Sequence, residues 1–289
     1  MRAASDDAAP PWSCPTCGAA VRARYCGACG ERRLEPGDLR VLALFAQAFE
    51  SLTHTDGRVF RTFKALLLRP GELTLAYAQG RRKSYIAPFQ VFLITNVVFF
   101  FGQSLLGFQA LSNTFRSHVE NQVYSARVLA LATERLAAAG VTREAYEPVF
   151  DHAVDVNAKA LVVLWVPFCA LLIWVMSLGA GRRGAVHWVF ALHLVAFWLV
   201  VLAAILPLVG FTMSPVLKVF GLGDAWLDAG AAWLIVALSA VWAYHAFGRV
   251  YGGTTGWRAF EAAFLAFALL PLIRVYRLAV FLMTLYTTT

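Results

Sequence analysis

The sequence predicts a mostly α, polytopic membrane bundle of about five spans, carrying a small N-terminal zinc ribbon and amphipathic interfacial helices. Three observations carry this expectation. Apolar residues make up 60% of the 289 residues and charged residues only 15%, where a soluble domain carries about 25% charged residues. Five long apolar runs follow one another from Pro88 onward, and two C-x2-C pairs stand near the start. The expected organisation is a tail and ribbon over residues 1–36, interfacial helices over 37–87, and a transmembrane bundle over 88–289 with an extracytoplasmic helical loop at 109–157.

The first element is the cysteine-rich one. Cys14-Pro-Thr-Cys17-Gly is followed after eight residues by Cys26-Gly-Ala-Cys29-Gly. Two such pairs can set four thiolates around one zinc ion at about 2.3 Å. Gly18 and Gly30 free the backbone just after each pair, where it must turn tightly. The competing reading is a disulfide framework, which needs an oxidising compartment. The cytosolic placement argued below speaks against it. Four cysteines close the coordination shell, so the expected Zn2+ is one structural ion, supplying folding energy to a segment too short for its own core. Arg22, Arg24, Arg32 and Arg33 around the pairs read as a solvated basic surface. The fifth cysteine, Cys169, lies inside an apolar run and reads as packing.

The next segment is amphipathic. Asp38 suits a helix N-cap, with Leu39, Leu42, Phe45, Phe49 and Leu52 on one stripe behind it. After the polar turn from Thr53 to Gly57, a second helix carries Val59, Phe60, Phe63 and Leu67 on one face and Arg58, Arg61 and Lys64 on the other. Pro70 suits a helix start and Gly80 a helix end. Arg81, Arg82 and Lys83 then stand directly before the first apolar run. An apolar face backed by cations beside a membrane entry reads as a helix lying in the interface, and packing against the ends of the bundle is the alternative. The cluster Arg58, Arg61, Arg69, Arg81, Arg82 and Lys83 is expected to meet anionic lipid headgroups, at roughly 1 kcal/mol per cation.

The spans follow from length and composition. The run 88–108 holds about 20 apolar residues, enough to cross a hydrocarbon core of roughly 30 Å. Four more runs lie at 158–178, 186–210, 230–247 and 258–286. Between the first and second, Ala and Leu at helical spacing around 123–139 predict a helix ending near Gly140, and Thr142 caps a further short helix bearing Tyr146, Val149 and Phe150. Residues 1–88 hold 13 Lys/Arg against 8 Asp/Glu, whereas 109–157 hold 4 against 6. Arg182, Arg183, Arg249 and Arg258 mark two later connections. Placing all basic connections on one side puts the N-terminus in the cytoplasm and the multi-pass chain in the cell inner (plasma) membrane. This distribution also accounts for the net charge of +8 without a specific nucleic-acid partner. Met1 to Pro11 hold no apolar run, so no cleavable signal peptide is expected and insertion is expected from an internal segment beginning near Pro88.

Polar groups near the membrane are fewer. His54 and Asp56 precede the first span, His187 and His193 lie in the third, and His245 lies in the fourth. They read as interhelical hydrogen-bonding groups, with a substrate or proton site and a second metal site as alternatives. His187 and His193 are six apart and point about 120° apart around a helix. Arg274 and Arg277 share one face of the last run. They either snorkel to the outer interface or face the bundle and bind an anionic group, unless the chain breaks at Pro271. No motif names a reaction, so nothing assigns catalytic residues.

The knuckles, together with His54-Thr-Asp56-Gly-Arg58, Arg61-Thr62, Leu66-Leu-Leu-Arg69-Pro70-Gly71-Glu72, Tyr77, Gly80-Arg-Arg82-Lys83-Ser-Tyr85 and Pro88-Phe89, resemble a family of bacterial zinc-ribbon membrane proteins of unknown function. The likeness is dense over roughly 12–105 and patchy near 187–197, where His187-Trp-Val-Phe-Ala-Leu-His193 fits the same pattern. It implies a multi-pass membrane protein with a cytosolic ribbon and brings no activity. The leading expectation is a lipid- or small-molecule-binding or transport-type component. A scaffold or sensor recruiting a cytosolic protein partner is the second reading, and an intramembrane histidine-based enzyme the third.

Overall fold

The computed structural model describes residues 11–35, 57–106, 111–178, 180–219 and 224–289. The helix expected from Asp38, and with it His54 and Asp56, lies outside the described residues.

Each cysteine pair sits in a short hairpin. Strands β1 (Trp12–Ser13) and β2 (Ala20–Val21) pair antiparallel, Trp12 opposite Val21 and Ser13 opposite Ala20. A second hairpin is closed by the bridge between Tyr25 and Arg32. Helix α1 (Arg58–Leu68) and helix α2 (Glu72–Ala78) follow, joined by a turn whose Gly71 has φ +80°. Gly80 ends this pair with φ +81°, as expected of a residue past a helix end.

Among the described residues, five helical stretches are long and apolar enough to cross a membrane. They are α3 (Pro88–Leu106); α6 (Arg143–Leu161), continued through a 3-10 turn into α7 (Trp165–Met176); α8 (Gly184–Val219); α9 (Asp224–Val250); and α10 (Thr255–Thr288). Large apolar side chains on them are exposed, among them Phe101, Leu105, Leu171, Trp174, Phe264 and Phe267, as lipid-facing surfaces require. The short helices α4 (Phe115–Glu120) and α5 (Ser125–Ala139) lie between the first two stretches, and Gly140 ends α5 with φ +67°.

Three expectations are corrected. The helix expected from Thr142 is longer than the short one expected, because α6 runs without a break across 157/158 into the apolar run. Tyr146, Phe150, Val154, Ala158 and Val162 form one buried stripe at four-residue spacing that crosses 157/158, while Val149 is exposed. The connection expected over 211–229 is largely helical, with α8 reaching Val219 and α9 starting at Asp224. Pro271 breaks nothing; α10 passes through it.

The chain forms two compact units. The first comprises residues 1–97, 166–200 and 238–263. In it every residue of α8 from Val189 to Leu199 is buried. The α1–α2 pair is fastened by polar contacts. Trp242 Nε1 donates to the Leu66 carbonyl at 2.8 Å, and Arg249 Nη1 donates to the Pro70 carbonyl at 2.7 Å. Leu66 stands in the last turn of α1, where carbonyls lack helical partners. The Thr62 hydroxyl donates to the Arg58 carbonyl and accepts from Ile86 N. Only Thr62, Ala65 and Leu66 of α1 are buried. Of the expected stripe, Phe60 (76%) and Leu67 are exposed while Val59 and Phe63 are half-buried, and Leu68 is exposed beside them.

The second unit comprises residues 98–165, 201–237 and 264–289. Its core is aromatic: Phe115 meets Tyr146, Phe150 and Phe281 at ring distances of 5.3 to 6.1 Å. Helix α10 is tied to α6 by Tyr276 donating to the Ala158 carbonyl at 2.6 Å and by Asn157 donating to Thr284 at 2.9 Å. His118 is wholly buried beside Phe150 and Phe281, with Nδ1 3.1 Å from the Tyr124 hydroxyl.

A Cβ on Gly71 would lie 2.9 Å from the Ala246 backbone, at a φ that side chains rarely adopt. Gly71→Ala is therefore expected to destabilise the protein by on the order of 1–3 kcal/mol, read as an earlier thermal unfolding in detergent. Burial, aided by the charge of Arg277, pushes His118 from its ordinary value of 6.5 down to about 4. The unfolded chain then binds the proton first, so this residue's contribution is intact above pH 6.5 and is lost as pH falls toward 4. Unfolding measured across that window should show a slope in the wild type that His118→Gln flattens.

Candidate metal centre and basic cleft

The two knuckles repeat one backbone pattern. Cys14 N donates to the Ala19 carbonyl and Gly18 N to the Cys14 carbonyl; Cys26 N donates to the Glu31 carbonyl and Gly30 N to the Cys26 carbonyl, all at 2.7 to 2.8 Å. Gly18 (φ +76°) and Gly30 (φ +71°) let both turns close. The four Sγ atoms lie within 4.8 Å of one another, with Cys14–Cys29 at 3.5 Å and Cys17–Cys26 at 3.6 Å. A tetrahedron with metal–sulfur bonds of about 2.3 Å has edges of roughly 3.8 Å. The thiol set therefore fits one tetrahedral metal ion. These separations far exceed the roughly 2.05 Å of a disulfide, and all four cysteines are unbridged. The N–H groups of Cys29 and Ala28 bring the Cys26 thiol down to about 7, whereas burial and the neighbouring thiols push Cys29 up to about 12, so it is the geometry of the four sulfurs that argues for a metal. Among the described residues no other group of three or more His, Cys, Asp or Glu side chains converges on a metal position. The module's small core, Trp12, Val21, Cys14 and Cys26, cannot fold it unaided.

Glu31 fastens this module to the rest of the first unit. Its buried carboxylate accepts from the Thr16 hydroxyl at 2.7 Å, from Lys83 N at 3.0 Å and from Arg32 N at 3.3 Å. The contact brings the module against residues 80–83, and a cleft of about 630 Å³ opens there. Among the described residues its cationic lining is Arg24, Arg32, Arg58, Arg81, Arg82 and Lys83 and its lining carboxylate is Glu31, while Glu35 pairs with Arg24 at 3.8 Å. Tyr25, Tyr77 and Tyr85 supply aromatic surface, and Leu73, Ile86 and Pro88 supply apolar surface. The Arg82 guanidinium lies 4.8 Å from the Tyr77 ring centre, and Arg81 pairs with Glu72 at 3.1 Å. His193 also lines the cleft, its Nδ1 2.9 Å from the buried Thr74 hydroxyl.

The structure thus gathers Arg58, Arg81, Arg82, Lys83 and His193 from the expected residues. Arg61 and Arg69 are exposed and lie outside the lining; Arg61 donates to the Ser84 carbonyl at 3.4 Å. His187 stacks on Tyr251 at 5.5 Å and 9°, with Nδ1 2.9 Å from its hydroxyl. His245 is exposed beside Tyr244. These histidines each keep a separate partner. In the second unit Arg274 is exposed, whereas Arg277 is half-buried and its charge reaches His118 and Tyr124. The sequence reading missed Glu31, whose signal was a lone acid in the basic stretch from Arg22 to Arg33. Arg24 and Arg32, read from the sequence as a solvated basic surface, both line the cleft, and Arg24 is exposed.

Residues 56–100 match a family model described as a protein of unknown function, DUF3667. The matched segment holds α1, α2, the basic turn and the first part of α3; the cysteines at 14–29 lie outside it. Comparison with curated proteins gave no match, and comparison with solved structures gave none.

Elemental analysis of the detergent-purified chain is expected to find one metal ion per protein. Replacing Cys14, Cys17, Cys26 and Cys29 together with serine should reduce that to none.

Proposed function

We propose that this chain is an integral membrane protein that binds an anionic amphiphile, a membrane lipid or a lipid-like solute, in the basic cleft beside its first span. The observation that carries the reading is the cleft's lining, among the described residues, by six Lys/Arg side chains and one carboxylate, with Arg24 and Arg81 also paired to Glu35 and Glu72. Cations near a leaflet attract anionic headgroups at about 1 kcal/mol each. The tyrosines and the apolar residues at the start of α3 suit the region where a headgroup meets its chains. The exposed stripe of Phe60, Leu67 and Leu68 on α1, flanked by Arg61, Lys64 and Arg69, suits a helix resting in the interface.

The resident metal is zinc. Four thiolates in a closed tetrahedral set select it over harder cations, and no coordination position is left for chemistry. Its part is to hold the hairpins that supply Arg24, Arg32 and Glu31. The Lys/Arg balance around the connections puts the module and cleft on the cytosolic side of the plasma membrane. Binding, with transport as its extension, suits this arrangement better than catalysis, since the histidines serve separate structural partners.

The test is native mass spectrometry of the full chain in phosphatidylcholine nanodiscs doped with anionic lipid. Retained anionic lipid is expected in the wild type. Arg58→Gln, Arg82→Gln and Lys83→Gln combined should weaken retention by about two orders of magnitude, from about 1 kcal/mol per lost cation. Equal retention of anionic and zwitterionic lipid by the wild type would refute the reading.

A further inference from the structure

A second site lies apart from the cleft: we infer that Glu261 is a proton-binding group of the membrane bundle, its carboxyl holding a proton in the folded chain and exchanging it with water. The site stands independently of the cleft and of what the cleft binds.

Two acids are buried among the described residues, Glu31 at 2% and Glu261 at 3% exposure. Glu31 accepts from three donors, the Thr16 hydroxyl, Lys83 N and Arg32 N. Glu261 has no such set. It lies in the second turn of α10, on the buried face it shares with Ala262 and Leu265, where helical spacing calls for an apolar residue. Its hydrogen-bonding neighbour is the Trp257 side chain one turn earlier. Among the described residues no ion pair includes it. The nearest cation in sequence, Arg258, is turned onto the Tyr244 ring, 5.3 Å from its centre, and donates to the Thr255 hydroxyl at 3.4 Å. An ionised carboxylate taken out of water without a partner is so costly that the group neutralises instead. Inside a span, an ionisable side chain is by default a functional one.

The surroundings of the carboxyl are polar without supplying a counter-charge. Its charge reaches the Tyr251 hydroxyl, just past the end of α9, as does that of Arg182 in the connection before α8. The Tyr251 hydroxyl lies 2.9 Å from Nδ1 of His187, in the first turn of α8, and the Arg182 carbonyl faces the same imidazole. Ser177, just past the end of α7, adds a buried hydroxyl close to Tyr251 that has no hydrogen-bond partner among the described residues. Such unused buried hydroxyls are uncommon. Tyrosine, histidine and serine, each able to donate and to accept, are thus gathered around the hydroxyl on which Glu261 acts, surroundings that suit proton movement. A larger cation has less to hold it: among the described residues no second carboxylate, histidine or thiol joins Glu261 in a metal-holding group of three. Release leaves a carboxylate and passes the proton to water; uptake restores the acid, and no other bond changes. The bundle therefore has two charge states that differ by one unit at a buried point of α10, which is what a proton-linked movement requires.

The experiment is infrared spectroscopy of the full-length, metal-loaded protein at pH 7, wild type against Glu261→Gln. An alkyl maltoside serves as detergent, since it has no carbonyl to obscure the region. Wild type is expected to show the C=O stretch of a protonated carboxylic acid. That band should shift in heavy water, fade as the pH is raised and be lost in Glu261→Gln. Absence of the band from the wild type at pH 7 would overturn the inference, because the buried carboxyl would then be ionised. A band that persists in the variant, or one that does not shift in heavy water, would overturn it equally. Should the variant fail to fold, the wild-type band, its fading with pH and its shift in heavy water decide on their own.

Discussion

The turn between α1 and α2 depends on α9 for its polar backbone, and the rest of the first unit is arranged around that dependence. Carbonyls at a helix end are costly to bury without a donor. Trp242 and Arg249 supply donors to Leu66 and Pro70, and the side-chain-free Gly71 lets α2 lie against Ala246. Thr74 then meets His193 of α8, and Thr62 meets the backbone of Ile86 just before α3. With α1 and α2 held, the basic turn at 81–83 has one position. The cysteine module docks on that turn through Glu31. A short amphipathic pair that would be marginal alone thereby becomes a rigid platform.

Local chemistry and assembly divide the work. The cysteine hairpins lack a core and take their order from thiolate–metal bonds, so their shape is independent of the membrane helices. The cleft, in contrast, exists only where hairpin, platform and α8 meet within the first unit. Its lining is basic among the described residues, with Glu31 turned to backbone donors and the Thr16 hydroxyl and with Glu35 and Glu72 paired to Arg24 and Arg81.

What could be read from the chain beforehand follows the same division. The spans were legible because twenty apolar residues in a row have few other fates, and the metal centre was legible because C-x2-C spacing constrains four sulfur atoms locally. The length of the helix from Thr142 was not legible, for a physical reason. Glu144, Glu147, Asp151 and Asp155 made the segment look like a water-exposed loop, yet the stripe from Tyr146 through Val162 keeps helical spacing straight across it. The cleft was only partly legible. Arg81 to Lys83 announce themselves beside the first span, but Arg24, Arg32 and His193 join them through folding over long sequence separations. The outward turn of Phe60 and Leu68 was open in the sequence, where the same stripe could have faced either protein or lipid.

The Glu31 anchor gives the first unit two kinds of electrostatics with different sensitivity to salt. Contacts among buried groups are little screened, whereas charges along an open cleft are screened over a Debye length of about 8 Å at physiological ionic strength. Glu31 is buried, and its partners are main-chain and hydroxyl donors, so these contacts are screened less than the exposed charges. Raising the ionic strength therefore weakens the pull of the cleft on any anion while the wall that shapes it stays docked. Ionic strength is thus a control that separates the charge of the cleft from its architecture.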